Sequence, residues 1–371
     1  MNIVYLARTR IPSRQANSIN VMKMCQAFAR NGHDVVLMNS AYPDVEPGVD
    51  DVYGFYGVSR CFRTLSIPEQ SRFTDRQAFV DHVHHTVHAE APAVVFARDH
   101  SLPYELGRLG LPVVLDAHKA VSDARMAERL GALLDSGRLV RFVTVTDALR
   151  VEYESAFPDL RGCTLVAANG ADEPAGVLPT PLPPTGRFPV GYVGHLYPGK
   201  GMEVVAALAQ RCPWADFHVV GGTDEDLAFW SAELLGPPNV HLHGFRPPSE
   251  VPSFLQAMEV LLVPNQRSVQ TAGASGTDVG QWTSPLKVAE AMAAGKAILA
   301  SDLPVLREAL SPGRTAVLCP PDDVSAWAER LAFLRDHPEE RAALGRRARA
   351  EFRAHRTWRA RAERVLAGIG V

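Results

Sequence analysis

A chain of 371 residues with 46% hydrophobic content is too long for one ordinary core, so two domains of roughly 150–200 residues are expected. A formal net charge of −3 excludes any global pull toward nucleic acid, so partners have to be read from local motifs. The five cysteines are scattered, without CxxC or His-linked spacing, which excludes a disulfide framework or zinc ribbon and fits reduced thiols in a cytosol.

The first seven residues, apolar apart from Asn2, reach Arg8 and Arg10 at once, a strand and loop rather than a secretory signal, and no window is apolar for long enough to cross a bilayer. A cytoplasmic location is expected. Short β-branched runs at 3–7, 35–38, 93–97, 113–115, 142–145 and 164–167 read as buried strands. Between them lie amphipathic stretches such as 19–30, with Val21, Met24, Cys25 and Phe28 on one face, and 77–88, with Val80, Val83 and Val87. This alternation predicts a doubly wound parallel sheet over 1–172.

Residues 173–189 are rich in proline and predict a linker. A second series of strands follows at 190–193, 217–220, 240–242, 260–263, 297–300 and 316–318, giving a second α/β domain over 190–354. Residues 355–371 predict a final helix that packs back toward the first domain. The arginines of the final helices, from Arg341 to Arg364, could touch anionic lipid at the inner membrane face, but interleaved glutamates and a Leu344, Phe352, Trp358 and Leu366 stripe favour ordinary packing.

Residues 282–304 carry the strongest functional signal. Pro285 suits a helix start, Gly295 its end, and a buried strand follows. Ser284, Lys287 and Glu290 recur every third position, placing a cation and a carboxylate on one face near the helix's positive end. That pattern suits a nucleoside diphosphate, with Lys287 on phosphate oxygens and Glu290 accepting both ribose hydroxyls. Gly191, Gly194, His195, Lys200 and Gly201 form a strand, glycine loop and helix start where a phosphate could sit. Gly221 and Gly222, with a helix cap expected at Thr223 or Asp224, and His243 to Arg246, with Gly244 and Phe245, are further strand-end turns that either bind nucleotide or merely reverse the chain.

In the first domain, the loop with Arg8, Arg10, Arg14, Asn17 and Ser18 links the first strand to the first helix, with Asn17 or Ser18 as its expected cap. Its other reading is an acceptor or phosphate contact. Asp116, His118 and Lys119, and Arg98 with Asp99, follow strands on the carboxyl edge where sites collect. His82, His84, His85 and His88 share one helix; a metal site there is set aside because Val80, Val83 and Val87 take the inner face.

Together these segments resemble the retaining GT-B glycosyltransferases of glycosyltransferase family 4, also termed glycosyl transferases group 1. The resemblance rests on residues 16–25 and Gly32-His33 in the first domain, on Asn169-Gly170, on Gly194 through Gly201, and most specifically on Ser284-Pro-Leu-Lys287 through Pro304. It implies two Rossmann-like doubly wound domains facing across a cleft, the first binding an acceptor and the second a nucleotide diphosphate-sugar. It also implies transfer with retention and without an essential metal or other cofactor, a UDP- or GDP-sugar serving as co-substrate.

By position, Gly194, His195, Lys200, Gly222, Gly244, Phe245, Ser284, Leu286, Lys287 and Glu290 would bind donor. Arg14, Asn17, Arg98 and His118 would bind acceptor, and His118, Lys200 and Glu290 would take part in catalysis. The acceptor would be a glycan, a lipid-linked intermediate or a small molecule. Trp282 stands where the family commonly has a second glutamate, and His195 where it often has an arginine, so the donor contacts depart from the usual set. Residues 268–280 read as a loop closing over the donor. Two alternatives fit the same residues: a nucleotide-sugar epimerase of this fold, and a silent nucleotide-sugar-binding subunit. Oligomeric state is left open.

Overall fold

The computed structural model describes residues 1–98, 103–176, 178–179, 181–233, 238–269, 278 and 280–369. It divides into two compact units, 1–168 with 358–371, and 169–357.

In the first unit seven strands form one parallel sheet: β1 (Asn2–Ala7), β2 (Asp34–Ser40), β3 (Arg63–Ile67), β4 (Val94–Ala97), β5 (Val113–Ala117), β6 (Leu139–Thr144) and β7 (Thr164–Val166). Their order is β3-β2-β1-β4-β5-β6-β7, every pair parallel. β1, β4 and β5 are buried on nearly every residue, as strands covered by helices on both faces must be. Tyr5, Phe28 and Phe96 lock the helix Ala16–Arg30 onto this sheet, with Phe96 ring centroids 4.9 and 5.1 Å from those of Tyr5 and Phe28.

The second unit repeats the plan with β8 (Phe188–Val193), β9 (Ala215–Val220), β10 (Val240–Gly244), β11 (Val260–Val263), β12 (Ala297–Ser301) and β13 (Val317–Cys319). Their order, β10-β9-β8-β11-β12-β13, is again wholly parallel. One apolar cluster with Tyr192, Phe217 and Trp327 and another with Met258, Met292 and Phe352 make its core. In both sheets the winding reverses once, between β1 and β4 and between β8 and β11, and the carboxyl ends there are where ligands collect in such folds.

The structure differs from the expectations in several details. β3 was not expected; three of its five residues are exposed, so it lacks the apolar run that marks a buried strand. The helix expected at 19–30 starts at Ala16 with Gln15 as its cap residue, so neither Asn17 nor Ser18 caps it. Ser18 Oγ instead donates back to the carbonyls of Ser13 and Gln15, at 3.0 and 2.7 Å, which secures an earlier first turn. The proline-rich stretch 173–189 is counted with the second unit, where Gln256 bonds Leu178 N and Gly176 O.

The helix Trp358–Leu366 belongs to the first unit, packed against Ala16–Arg30. Arg361 is no surface residue: it is 2% exposed and donates to both oxygens of buried Asp116 at 2.8 and 3.0 Å. Most other arginines of the last two helices also have internal partners: Arg341 with Glu259, Arg353 with Glu173, Arg347 with Glu340 and Arg364 with the Val166 carbonyl. Their charge is therefore largely matched within the chain.

Candidate functional site

The site in the second unit starts with three turns at the carboxyl edge of its sheet. Gly194 N donates to Val220 O at 2.9 Å and Gly221 N to Gly244 O at 2.8 Å, which laces the ends of β8, β9 and β10 together. Gly221 has φ +123°, and a Cβ there would stand 2.1 Å from Gly194 O, so only glycine fits. Gly222 follows it directly, packed over Leu196. Thr223 caps the helix Asp224–Glu233 through a reciprocal pair with Asp226, at 2.9 and 3.1 Å. Gly244 ends β10, and half-buried Phe245 follows it.

Lys200 precedes the helix Met202–Arg211, and Lys287 lies in the first turn of the helix Leu286–Ala294. Lys287 Nζ sits over the Tyr192 ring, 4.7 Å from its centroid, and is buried without a hydrogen-bond partner among the described residues. Lys200 Nζ lies 5.1 Å from the centroid of Tyr197. Burial pushes Lys200 down to about 8. Burial, then the charge of Lys200, holds Lys287 well below the ordinary lysine range, while Glu290 opposes this.

His195 stacks on Tyr197 at 5.2 Å, and burial followed by the two lysines pushes it down to about 4. It is therefore neutral at pH 7 and able to accept as well as donate. Two sheltered ammonium groups, one of them also opposed by the charge of the other, are what a doubly charged anion would relieve. Ser284 is engaged by Asn169, whose backbone N donates to Ser284 Oγ at 3.2 Å and whose Nδ2 donates to the Ser284 carbonyl at 2.7 Å. Glu290 lies one helical turn beyond Lys287, and Leu286 opens the helix. Asn265, just past β11, was not anticipated; it is 3% exposed and its Oδ1 has no partner among the described residues. Of the expected closing loop, 270–277 and 279 lie outside the described residues.

In the first unit a cavity of about 540 Å³ opens beside the carboxyl ends of β1, β4 and β5. Asn17, Arg98 and His118 line it, but Arg14 does not; Arg14 instead grips Glu46 through two nitrogens, at 2.6–2.9 Å. Arg8, Lys119, Arg125 and Arg129 also line it, against one carboxylate, Asp123, so the cavity is cationic. Arg125 and Arg129 are four apart near the start of the helix Ala124–Asp135, capped by Asp123, a spacing that puts both on one face. That cap and spacing were the available signal for the two arginines.

Arg98 donates to the Asn17 carbonyl at 2.8 Å. His118 Nε2 lies 3.1 Å from Asp116 Oδ2. Burial, then Arg98, pushes His118 down to about 4 despite that carboxylate. Burial alone would raise Asp116, but Arg361 and His118 outweigh it and hold the carboxyl well below its usual range. At neutral pH the histidine is thus an uncharged hydrogen-bonding group oriented by an ionised partner. Asp99 lies outside the described residues. On the helix Arg76–Ala89, His84 Nε2 is engaged with the Glu105 carbonyl at 2.9 Å.

Residues 202–367 match a family model described as glycosyl transferase-like. D-inositol 3-phosphate glycosyltransferase of Corynebacterium efficiens is 28% identical over 188 residues, 47% of this chain and 41% of that protein. Phosphatidyl-myo-inositol mannosyltransferase of Mycolicibacterium smegmatis is 31% identical over 164 residues, 43% of this chain and 38% of that protein. The matched stretches thus span about two fifths of the length of these relatives. Among solved structures, HepE of Anabaena in complex with UDP superposes with a TM-score of 0.72 at 16% identity, covering 98% of each chain. Sucrose-phosphate synthase of Thermosynechococcus elongatus gives 0.72 at 18% identity, covering 98% of this chain and 96% of that one. The fold is GT-B, with two Rossmann-like α/β units.

Proposed function

We propose that this protein transfers a sugar, with retention of configuration, from a nucleoside diphosphate-sugar to a hydroxyl of a phosphate-bearing acceptor. The observation that carries the proposal is the sheltered Lys200 and Lys287 pair at the point where the second sheet reverses its winding. A departing diphosphate gathers negative charge as the glycosidic bond breaks, and two fixed ammonium groups in a poorly solvated site stabilise that charge most where it develops. They supply the positive charge that a divalent cation would otherwise bring, so the chemistry is proposed to be metal-independent. Glu290, one turn from Lys287, is assigned to the ribose hydroxyls, and the turns at Gly194, Gly222 and Gly244 to close backbone approach. A uridine nucleotide is the first donor to test, since HepE, a protein of the same fold, has been solved with UDP and with UDP-glucose.

The acceptor is assigned to the first unit's cavity, whose volume suits a small polyol or a lipid headgroup and whose cations suit phosphate. Two relatives are named for inositol phosphate and phosphatidylinositol substrates, which supports the same acceptor class here. Neutral His118 is assigned to a hydroxyl of the transferred sugar, as a hydrogen-bonding rather than a charged partner. The acceptor hydroxyl would attack from the face the diphosphate leaves, with the diphosphate oxygens receiving the proton.

The test is nucleoside diphosphate release from a panel of UDP-, GDP-, ADP- and TDP-sugars, with inositol phosphates and phosphatidylinositol as acceptors. Release from one donor is expected to need a phosphorylated acceptor, and Lys200→Ala and Glu290→Ala are expected to lower kcat/KM by about 10²-fold or more. Unchanged turnover in both variants would remove the site assignment, and an inverted anomeric signal in the product would remove retention.

A further inference from the structure

On the outer part of the second sheet, Asp216 and His218 alternate along β9 and point to the same face, and strand register sets His241 of β10 opposite His218. We propose that Asp216, His218 and His241 bind a divalent transition-metal ion of the zinc class, a structural site that ties the edge strand β10 to β9. A carboxylate oxygen and two imidazole nitrogens from these residues lie within 4.8 Å of one another. Zinc with bonds of about 2.0–2.1 Å in tetrahedral geometry spaces its ligand atoms about 3.3 Å apart. Asp216 Oδ1 and His241 Nε2 already stand at 3.1 Å. The remaining gap is closed by tilting the imidazole of His218, which stacks on that of His241 with centroids 4.7 Å apart.

Three features set this cluster apart from a chance grouping of polar residues. Asp216 is 0% and His218 2% exposed, so both ligating groups were buried at a cost that needs a partner. His241 Nε2 faces Asp216 Oδ1 at 3.1 Å, so these two atoms already converge as a pair of ligands on one ion would. The cluster also has the outer contacts that orient ligands in metal sites. Thr185 Oγ1 donates to Asp216 Oδ2, and His218 Nδ1 is engaged with His243 Nε2 at 3.0 Å, so both residues are held by neighbours outside the cluster. Two imidazoles and one carboxylate favour zinc, cobalt or nickel over calcium or magnesium, which prefer oxygen donors throughout. Arg187 competes, its Nη1 reaching Asp216 Oδ1 at 3.3 Å, but its side chain is 41% exposed and free to swing outward.

The site is independent of the proposed transfer reaction, and its test reads metal binding rather than turnover. Full-length protein stripped with chelator is titrated with Zn²⁺ by calorimetry and with Co²⁺ by visible absorption, which reports tetrahedral coordination. One ion per chain is expected, with a higher melting temperature in zinc. His241→Gln, at a partly exposed position where folding is least at risk, is expected to weaken binding by about tenfold or more. Arg187→Ala is expected to tighten binding by freeing the carboxylate oxygen. A control His84→Ala/His88→Ala variant is expected to bind like the wild type. Absence of saturable binding in the wild-type chain would overturn the site. So would equal binding in His241→Gln and His218→Asn, or loss confined to the control.

Discussion

Lys200 and Lys287 carry a cost in the empty protein. Each ammonium gives up water, Lys287 also feels the charge of Lys200, and Glu290 offsets only part of the penalty on Lys287. For Lys200 the folded pKa lies below the unfolded one, so the unfolded chain binds the extra proton between about 8 and the ordinary lysine value. Its charge therefore destabilises the fold below pH 8, and the penalty fades as pH rises through that window. Lys200→Met, similar in length but uncharged, should stabilise the ligand-free protein by about 1–3 kcal/mol while removing diphosphate affinity. Urea midpoints of both forms at pH 7 and pH 9.5 would check this, and a stabilisation that did not shrink at pH 9.5 would contradict it. At this scale the nearness of Lys287 to Lys200 and Glu290 was legible, because a three-residue rhythm and a strand-end glycine loop are local signals. The Asp116–Arg361 pair was not, since its members are 245 residues apart and a buried arginine looks like any other in an arginine-rich helix.

Among the elements, the ends of β8, β9 and β10 matter most, because their turns bond to one another and set the floor on which a diphosphate would rest. Gly221→Ala would force a Cβ against the Gly194 carbonyl in a backbone region that side chains avoid. The expected loss is about 2 kcal/mol or more, visible as a lower urea midpoint, together with weaker nucleotide binding. A variant as stable as the wild type would show that the lacing is dispensable. Buried strands such as β4 and β11 were readable from β-branched runs, whereas β3, an edge strand with mostly exposed residues, carried no such run. The start of the helix Ala16–Arg30 was misjudged because two plausible caps, Asn17 and Ser18, lie inside its first turn.

Over the whole molecule, two sheets with the same winding order each place cations where that order reverses. The alternation of strands and helices made both sheets legible. The return of Trp358–Leu366 to the first unit was expected from the sequence, whereas the partner that fixes it, buried Asp116 held by Arg361, was not. Neutral buried histidines also give the molecule a shared acid response. His118 and His195 titrate near 4 in the folded chain but near 6.5 when unfolded, so the unfolded state takes up protons first as pH falls. Their contribution is fully present above pH 6.5 and is lost between about 6.5 and 4. Below that, protonation of Asp116, held low by Arg361 and His118, removes more. The melting temperature should decline across both windows; a flat profile from pH 6.5 to 4 would contradict these environments.

The central claim is that the lysine pair holds a nucleoside diphosphate, and thermal shift with UDP, GDP, ADP and TDP tests it most directly. A diphosphate that binds only the folded chain raises the melting temperature, by about 2.7 kcal/mol of added stability at a hundredfold excess over Kd. The account predicts such a rise for one base family in the wild type and its loss in Lys200→Met. No rise with any of the four, or an equal rise in the variant, would contradict it.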